Sequence, residues 1–217
     1  LDAIHTRFKE HTLELMKKHG ITPVAFLVPE GENKENKLVI FFSFPGMKAR
    51  ELAWEKYLAD PDAKKAFMES QKDGPLEGKV NIRFLTTTDY SPEPKFEKGT
   101  KDRVFELRTY TATKGNLGHL NDRFKNHTVK LFEKYGMTNV VYWNVLKGEP
   151  DDDKLLVYLL AHDSRAAAAK SFDAFRKDPE WAAARKASEE KGGGSLTEPK
   201  GGVVSEFLVP TDYSPLK

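Results

Sequence analysis

Two histidines hold matching places in this chain, His11 in R-F-K-E-H-T (residues 7–12) and His127 in R-F-K-N-H-T (residues 123–128). Each follows a phenylalanine by three residues, which on an α-helix sets the imidazole on the apolar side. An imidazole in that setting can act as acid, base or axial ligand to a haem iron. No carboxylate or second histidine lies at a spacing that completes such a site, so we favour a plainer role: a structural histidine bonded to a strand or turn. Replacing such a group with alanine leaves its partner unsatisfied, at about 1 to 3 kcal/mol. One turn earlier, Arg7 and Arg123 are placed either to bind a carboxylate or to close a local salt bridge.

A second cluster lies on a strand. V-F-E-L-R-T-Y-T (residues 104–111) alternates, with Phe105 and Leu107 on one face and Glu106, Arg108 and Tyr110 on the other. Trp143, Asn144, Tyr158 and His162 fall on strands expected beside it, and together these side chains line either a barrel interior or a cleft under the helices. Aromatic walls with a few polar groups suit a small apolar or aromatic ligand. A packed interior with a Glu106–Arg108 pair fits the same residues. The six histidines form no H-E-x-x-H or other metal spacing, and no P-loop, G-x-G-x-x-G or G-x-S-x-G is present. Nothing in the sequence requires a metal or cofactor.

The elements that must carry these residues occur twice. Besides the two R-F-K-x-H-T segments, T-D-Y-S-P recurs at residues 88–92 and 211–215. A repeat above about 100 residues makes each copy a domain and not a stacking unit. In the second copy the order is strand 104–111, a helix stopped by Gly136, strands 138–146 and 154–161 forming a hairpin, an alanine-rich helix from about Ser164 to Lys177, a helix restarted at Asp178-Pro179 with Trp181 packed behind it, flexible glycine elements at 192–194 and 201–202, and a last strand 203–209. This is the ferredoxin-like order. The first copy matches from its helix onward, with hairpin strands 22–28 and 37–44, a helix 49–59, the restart at Asp60-Pro61 and a last strand 80–86. Trp143 and Tyr158 stand opposite Leu27 and Phe41, so the two copies need not share a working pocket. Nothing here corresponds to the strand 104–111 in the first copy. An interior strand is worth several buried side chains at about 1.5 to 3 kcal/mol each, and we expect sequence upstream of Leu1 to supply it. The expected domains are residues 1–92 and 103–217, joined by a proline- and charge-rich linker at 93–102.

Composition narrows the class. The chain has 217 residues, 39% hydrophobic and 31% charged, with a net charge of +2. That is ordinary for a globular protein and enough for two cores. Interleaved charges give no basic face for nucleic acid. No apolar run approaches a membrane span, and the first residues form no targeting segment. Absence of cysteine removes disulfides and thiolate chemistry and leaves the compartment open.

The strand E-L-R-T-Y-T, the helix R-F-x-x-H-T, the turn K-Y-G-M-T-N-V, the strand L-V-Y-L-L-A, the D-P-E-W restart and the closing F-L-x-P-T-D-Y-S-P together resemble a NIPSNAP-domain protein. The first copy departs from the pattern, with Pro23 in place of Asn139 and Ala63 in place of Trp181. The resemblance implies an α+β fold, two tandem ferredoxin-like domains forming an intrachain pseudo-dimeric α/β barrel with helices outside antiparallel sheets, open to further homo-oligomerisation. The family has no established reaction, while proteins of related fold include cofactor-less monooxygenases and haem-binding enzymes. Two functions follow as expectations: a non-catalytic module binding a small molecule or a protein partner, or a monooxygenase-like or haem-binding enzyme. Haem enters only under the second.

Overall fold

The computed structural model describes residues 1–76, 78–93 and 103–217, in two compact units. The first holds Leu1–Asn81 and Pro210–Lys217. Its opening helix runs as α1 (Asp2–Arg7), one π-helical turn (Phe8–Thr12) and α2 (Leu13–Lys18). Gly20, at φ +84°, ends it in the left-handed conformation that glycine adopts without strain. The hairpin β1 (Thr22–Pro29) and β2 (Val39–Ser43) comes next, then α3 (Met47–Ala59) and α4 (Pro61–Glu69). Phe8, Met16, Ile21, Phe26 and Ala53 form the core of this unit.

The second unit contains the described residues 82–93 and 103–209. Its strands are β3 (Leu85–Thr87), β4 (Val104–Thr111), β5 (Thr138–Val145), β6 (Leu155–His162) and β7 (Val203–Pro210, through Val209), in the antiparallel order β7-β4-β6-β5-β3. Helices α5 (Leu117–Arg123) and α6 (Val129–Lys134), joined by a second π-helical turn (Phe124–Thr128), pack with α7 (Arg165–Arg176) and α8 (Pro179–Lys191). The helix-facing core is aromatic, with Phe124, Phe132, Tyr142, Tyr158, Phe172 and Phe175 in one cluster. Every residue of β6 is buried, as a central strand covered on both faces must be.

Sequence copies and compact units do not coincide, because each copy ends in the other's unit. The T-D-Y-S-P of the first copy docks on the second: the Thr88 amide donates to the Tyr142 carbonyl, the Tyr142 amide to Ser91 Oγ at 3.0 Å, the Tyr90 hydroxyl to Asn121 Oδ1 at 2.7 Å, and Lys125 pairs with Asp89. The T-D-Y-S-P of the second copy repeats each contact on the first unit. There the Thr211 amide bonds the Phe26 carbonyl, the Phe26 amide donates to Ser214 Oγ at 3.0 Å, His5 bonds the Tyr213 hydroxyl at 2.6 Å, and Lys9 pairs with Asp212.

Several expectations shift at their edges. The last strand of the first copy shrinks from 80–86 to Leu85–Thr87, the length over which β5 offers partners, and Val80 and Ile82 lie exposed before it. Tyr158 corresponds to Ile40 and not to Phe41, since Tyr142 pairs with Tyr158 where Phe26 pairs with Ile40; the hairpin of the second copy is longer. Of the glycines expected to be flexible, Gly192 and Gly202 are close-packed, a Cβ on the first standing 2.4 Å from Leu196 and one on the second 2.1 Å from the Glu198 carbonyl, while Gly193, Gly194 and Gly201 have open space around them. The expected linker lies, from residue 94 to 102, outside the described residues.

Both restarts fold as anticipated. Asp60 caps α4 by accepting from the Asp62 amide, and Asp178 caps α8 by accepting from the amides of Glu180 and Trp181. Each buried carboxylate also takes a lysine and its neighbour, Lys18 and His19 or Lys134 and Tyr135. Lys134 and Tyr135 hold the Asp178 carboxyl well below the usual range. Its stabilisation is therefore complete above the unfolded value of about 3.9 and is lost as pH falls below it. Asp178→Asn, which keeps the cap and removes the charge, should lower the urea midpoint at neutral pH, with the gap to the parent narrowing below about pH 4. The exchanged segments give a second test. Tyr213 stacks on Phe8 and packs at a tilt against Phe26, so Tyr213→Ala should cost about 1 to 3 kcal/mol and raise hydrogen exchange in the helix 2–18 and β1, while β4 to β6 keep their protection.

Candidate functional site

The two π-helical turns move the histidines. A hydrogen bond from the Val129 amide to the Phe124 carbonyl, and from the Leu13 amide to that of Phe8, inserts one residue into the turn. Each extra residue rotates the rest of the helix by about 100°. Thr12 and Thr128 consequently take the inward positions, Thr128 Oγ1 donating to the Arg123 carbonyl at 3.2 Å. His11 and His127 are half exposed, lying 3.9 Å from Glu10 and Glu180 respectively, and Nδ1 of His127 has no hydrogen-bond partner. The structural histidine bonded to a strand or turn that the α-helical spacing predicts is not found at either position, because the helix is π-helical over Phe8–Thr12 and Phe124–Thr128.

The strand cluster assembles under the helices of the second unit. Glu106 Oε1 accepts from Arg108 Nη1 at 2.5 Å and from the Ser205 hydroxyl, and Oε2 lies 3.1 Å from His162 Nε2. Arg108 also donates through Nε to the Tyr158 hydroxyl at 2.9 Å and through Nη2 to that of Tyr110 at 3.2 Å, and its guanidinium rests 4.6 Å from the Phe172 ring centre. Asn144, on the same face, donates to the Leu155 carbonyl. Trp143 separates from the group, since it pairs with Val157 and neighbouring residues on a strand point to opposite faces. Ser205 was not anticipated; it stands across from Arg108 in the β4–β7 register, which no local spacing reveals.

Burial alone would raise the Glu106 carboxyl, but hydrogen bonds from His162 and Ser205 and the Arg108 charge outweigh it and hold the group below its ordinary value. Burial pushes the Tyr158 hydroxyl well up, and the tyrosines and Glu106 around Arg108 keep that guanidinium charged. The network is charge-balanced and largely buried, with Glu106 2% and His162 3% exposed, while Ser205 and part of Arg108 reach solvent. Breaking such a pair by removing one charge costs about 3 to 5 kcal/mol, whereas replacing both by apolar neighbours is often near neutral. Glu106→Gln should therefore destabilise strongly, and Glu106→Gln with Arg108→Met should recover part of the loss in urea denaturation.

Arg123 lies elsewhere, between α5 and α8. It is 6% exposed, with Nη1 3.4 Å from Ser188 Oγ, its guanidinium 5.1 Å from the Trp181 ring centre, and Nε without a partner. No carboxylate among the described residues reaches ion-pair distance, and burial lowers the group below the usual arginine value. Arg7 is its counterpart, donating to Ser70 Oγ at 3.0 Å and lying over Phe67, again with no ion pair among the described residues. Beside Trp181, an open cleft of about 570 Å³ runs along α8, bordered by Arg176, Arg185, Lys186, Glu189 and Ser195. None of the sequence-selected residues borders it. The described residues contain no group of three or more histidine and acidic side chains placed to hold a metal.

Comparison with known proteins bears on the whole chain. The NIPSNAP family model matches residues 1–92 and 105–215. Among solved structures, a putative monooxygenase from Lactobacillus acidophilus aligns over 96% of this chain and 86% of its own at 11% identity, TM-score 0.55. A NIPSNAP family protein from Agrobacterium tumefaciens aligns over 58% of this chain and all of its own, at 17% identity and TM-score 0.46. A NIPSNAP domain protein from Burkholderia xenovorans aligns over 51% and 96%, at 21% identity and TM-score 0.41. No curated protein matches. The match along nearly the whole chain shows the fold, mixed α+β of the dimeric α/β-barrel type, and no helix among the described residues is long and apolar enough to cross a membrane. Carrying the family pattern in both of its halves, the chain belongs to the NIPSNAP family.

Proposed function

We propose that this chain is a non-catalytic module that binds a small molecule, and that the cleft along α8 is its site. The observation that carries the reading is the cleft itself: about 570 Å³, within the range of small-molecule sites, with an indole wall and charged side chains on its border. The polar network of β4 and β6 is taken up by its own hydrogen bonds, apart from Nδ1 of His162, and its two central groups, Glu106 and His162, are buried, which suits a structural interior. The enzyme alternative requires His11 or His127 to open into a pocket, and neither borders the cleft. The likeness to the putative monooxygenase concerns fold alone.

Native mass spectrometry with an absorbance scan of the purified protein tests this. We expect a small mass increment that organic solvent releases, is reduced by Trp181→Ala and carries no haem absorbance. A stoichiometric haem band, or oxygen consumption with a co-purified substrate, would place the protein among the enzymes of this fold.

A further inference from the structure

The two copies of the fold treat one helix surface in opposite ways. The Asp60 and Asp178 caps bring α3 and α4 of the first unit into correspondence with α7 and α8 of the second. On that alignment Leu58, Phe67 and Met68, all exposed, stand where Arg176, Arg185 and Lys186 border the cleft, and Ala63 stands where Trp181 forms its wall. The second unit has placed three cations and an indole where the first has three apolar side chains and a methyl group.

The charges there do not cancel. Arg185 Nε pairs with Glu189 at 2.9 Å and Lys186 Nζ lies 3.9 Å from Glu190, whereas Arg176 has no ion pair among the described residues. Behind Trp181 lies Arg123, buried, with Glu189 near enough to favour its charge but no ion pair among the described residues, and with Nε free of any hydrogen bond. A buried guanidinium without a counter-ion is costly, and an anion entering beside it would relieve that cost. Trp181 meanwhile packs against Phe175 with ring centres 4.5 Å apart and planes tilted by 37°, so an aromatic ring is held at the cleft wall.

We propose that the cleft takes a small aromatic carboxylate, its ring on Trp181 and its single negative charge held by Arg176 and Arg185 in the field of Arg123. This deepens, and rests on, the reading of the cleft as a small-molecule site. The first unit, lacking both the indole and the cations, binds no such ligand. One charge matches the border, where three cations face two glutamates.

Isothermal titration calorimetry with 2-naphthoate and its neutral isostere 2-naphthamide tests the proposal on the full chain. We expect one saturable site for the acid, at least tenfold weaker binding of the amide, and a loss of tenfold or more for the acid in Arg176→Gln with Arg185→Gln, both exposed positions that folding tolerates. Trp181→Ala should abolish binding, while Phe67→Ala in the first unit leaves it unchanged. Equal binding of acid and amide, both lost in Trp181→Ala, would overturn the anion assignment and leave the cleft a small-molecule site. Binding that ignores Trp181→Ala, or no binding of either probe, would overturn the assignment and the cleft reading together.

Discussion

Each repeat of this chain is finished by the other's closing segment, and that exchange is the constraint on which the remaining structure depends. The Tyr90 and Tyr213 rings are packed against the aromatic cores of units whose helices and hairpins come from the opposite half of the sequence. The same four polar contacts recur at both places, an amide to a strand carbonyl, a serine hydroxyl to a strand amide, a tyrosine hydroxyl to a helix side chain, and a lysine to an aspartate. Burial pushes the Tyr213 hydroxyl up to about 12 and Tyr90 likewise upward, so both remain neutral donors or acceptors throughout the physiological range. A hydroxyl placed in an apolar setting must find a partner, and the specificity of docking comes from that requirement as much as from the apolar area.

The opening helix of each repeat shows how one inserted residue redistributes chemistry. A uniform α-helix would carry His11 and His127 toward the sheet; the π-helical turn sends a threonine there and leaves the histidine at the surface. The arginine that begins each turn lies against the helix after the restart, on a serine hydroxyl and an aromatic ring, without a carboxylate. In the second unit that helix carries the cleft. Duplication has kept the scaffold, namely the cap, the arginine and the serine, while the solvent-facing positions diverged between apolar and cationic side chains. Positions that face solvent are free to change because they contribute little to stability, and binding sites arise there.

Glu106, Arg108 and His162 illustrate the opposite pressure. They are ionisable groups of the kind that performs catalysis, yet each hydrogen-bonding direction is taken by a neighbour, apart from Nδ1 of His162. Closed in this way, the network favours one register between β4, β6 and β7, since a slip by one residue would carry the charged set to the other face.

Much of this was legible in the residues alone. The repeated segments, the alternation of 104–111, the Asp-Pro restarts and the glycine stops are local signals, governed by backbone sterics and capping, and they identified the ferredoxin-like order and the α+β class without any contact information. Glu106, Arg108 and Tyr110 share a face because period-two alternation is geometry within one strand, whereas Trp143 turns away from them because membership across strands depends on register. What only the tertiary structure decided is the destination of side chains over long separations: that His127 stays outside, that Ser205 joins the Glu106 network, that each T-D-Y-S-P packs on the helix and hairpin of the other sequence copy, and that Trp181 borders a cleft backed by Arg123 with no ion pair among the described residues. Those outcomes depend on a single extra backbone hydrogen-bond step in a helix and on pairings between residues far apart in the chain, and neither leaves a periodic trace in the sequence.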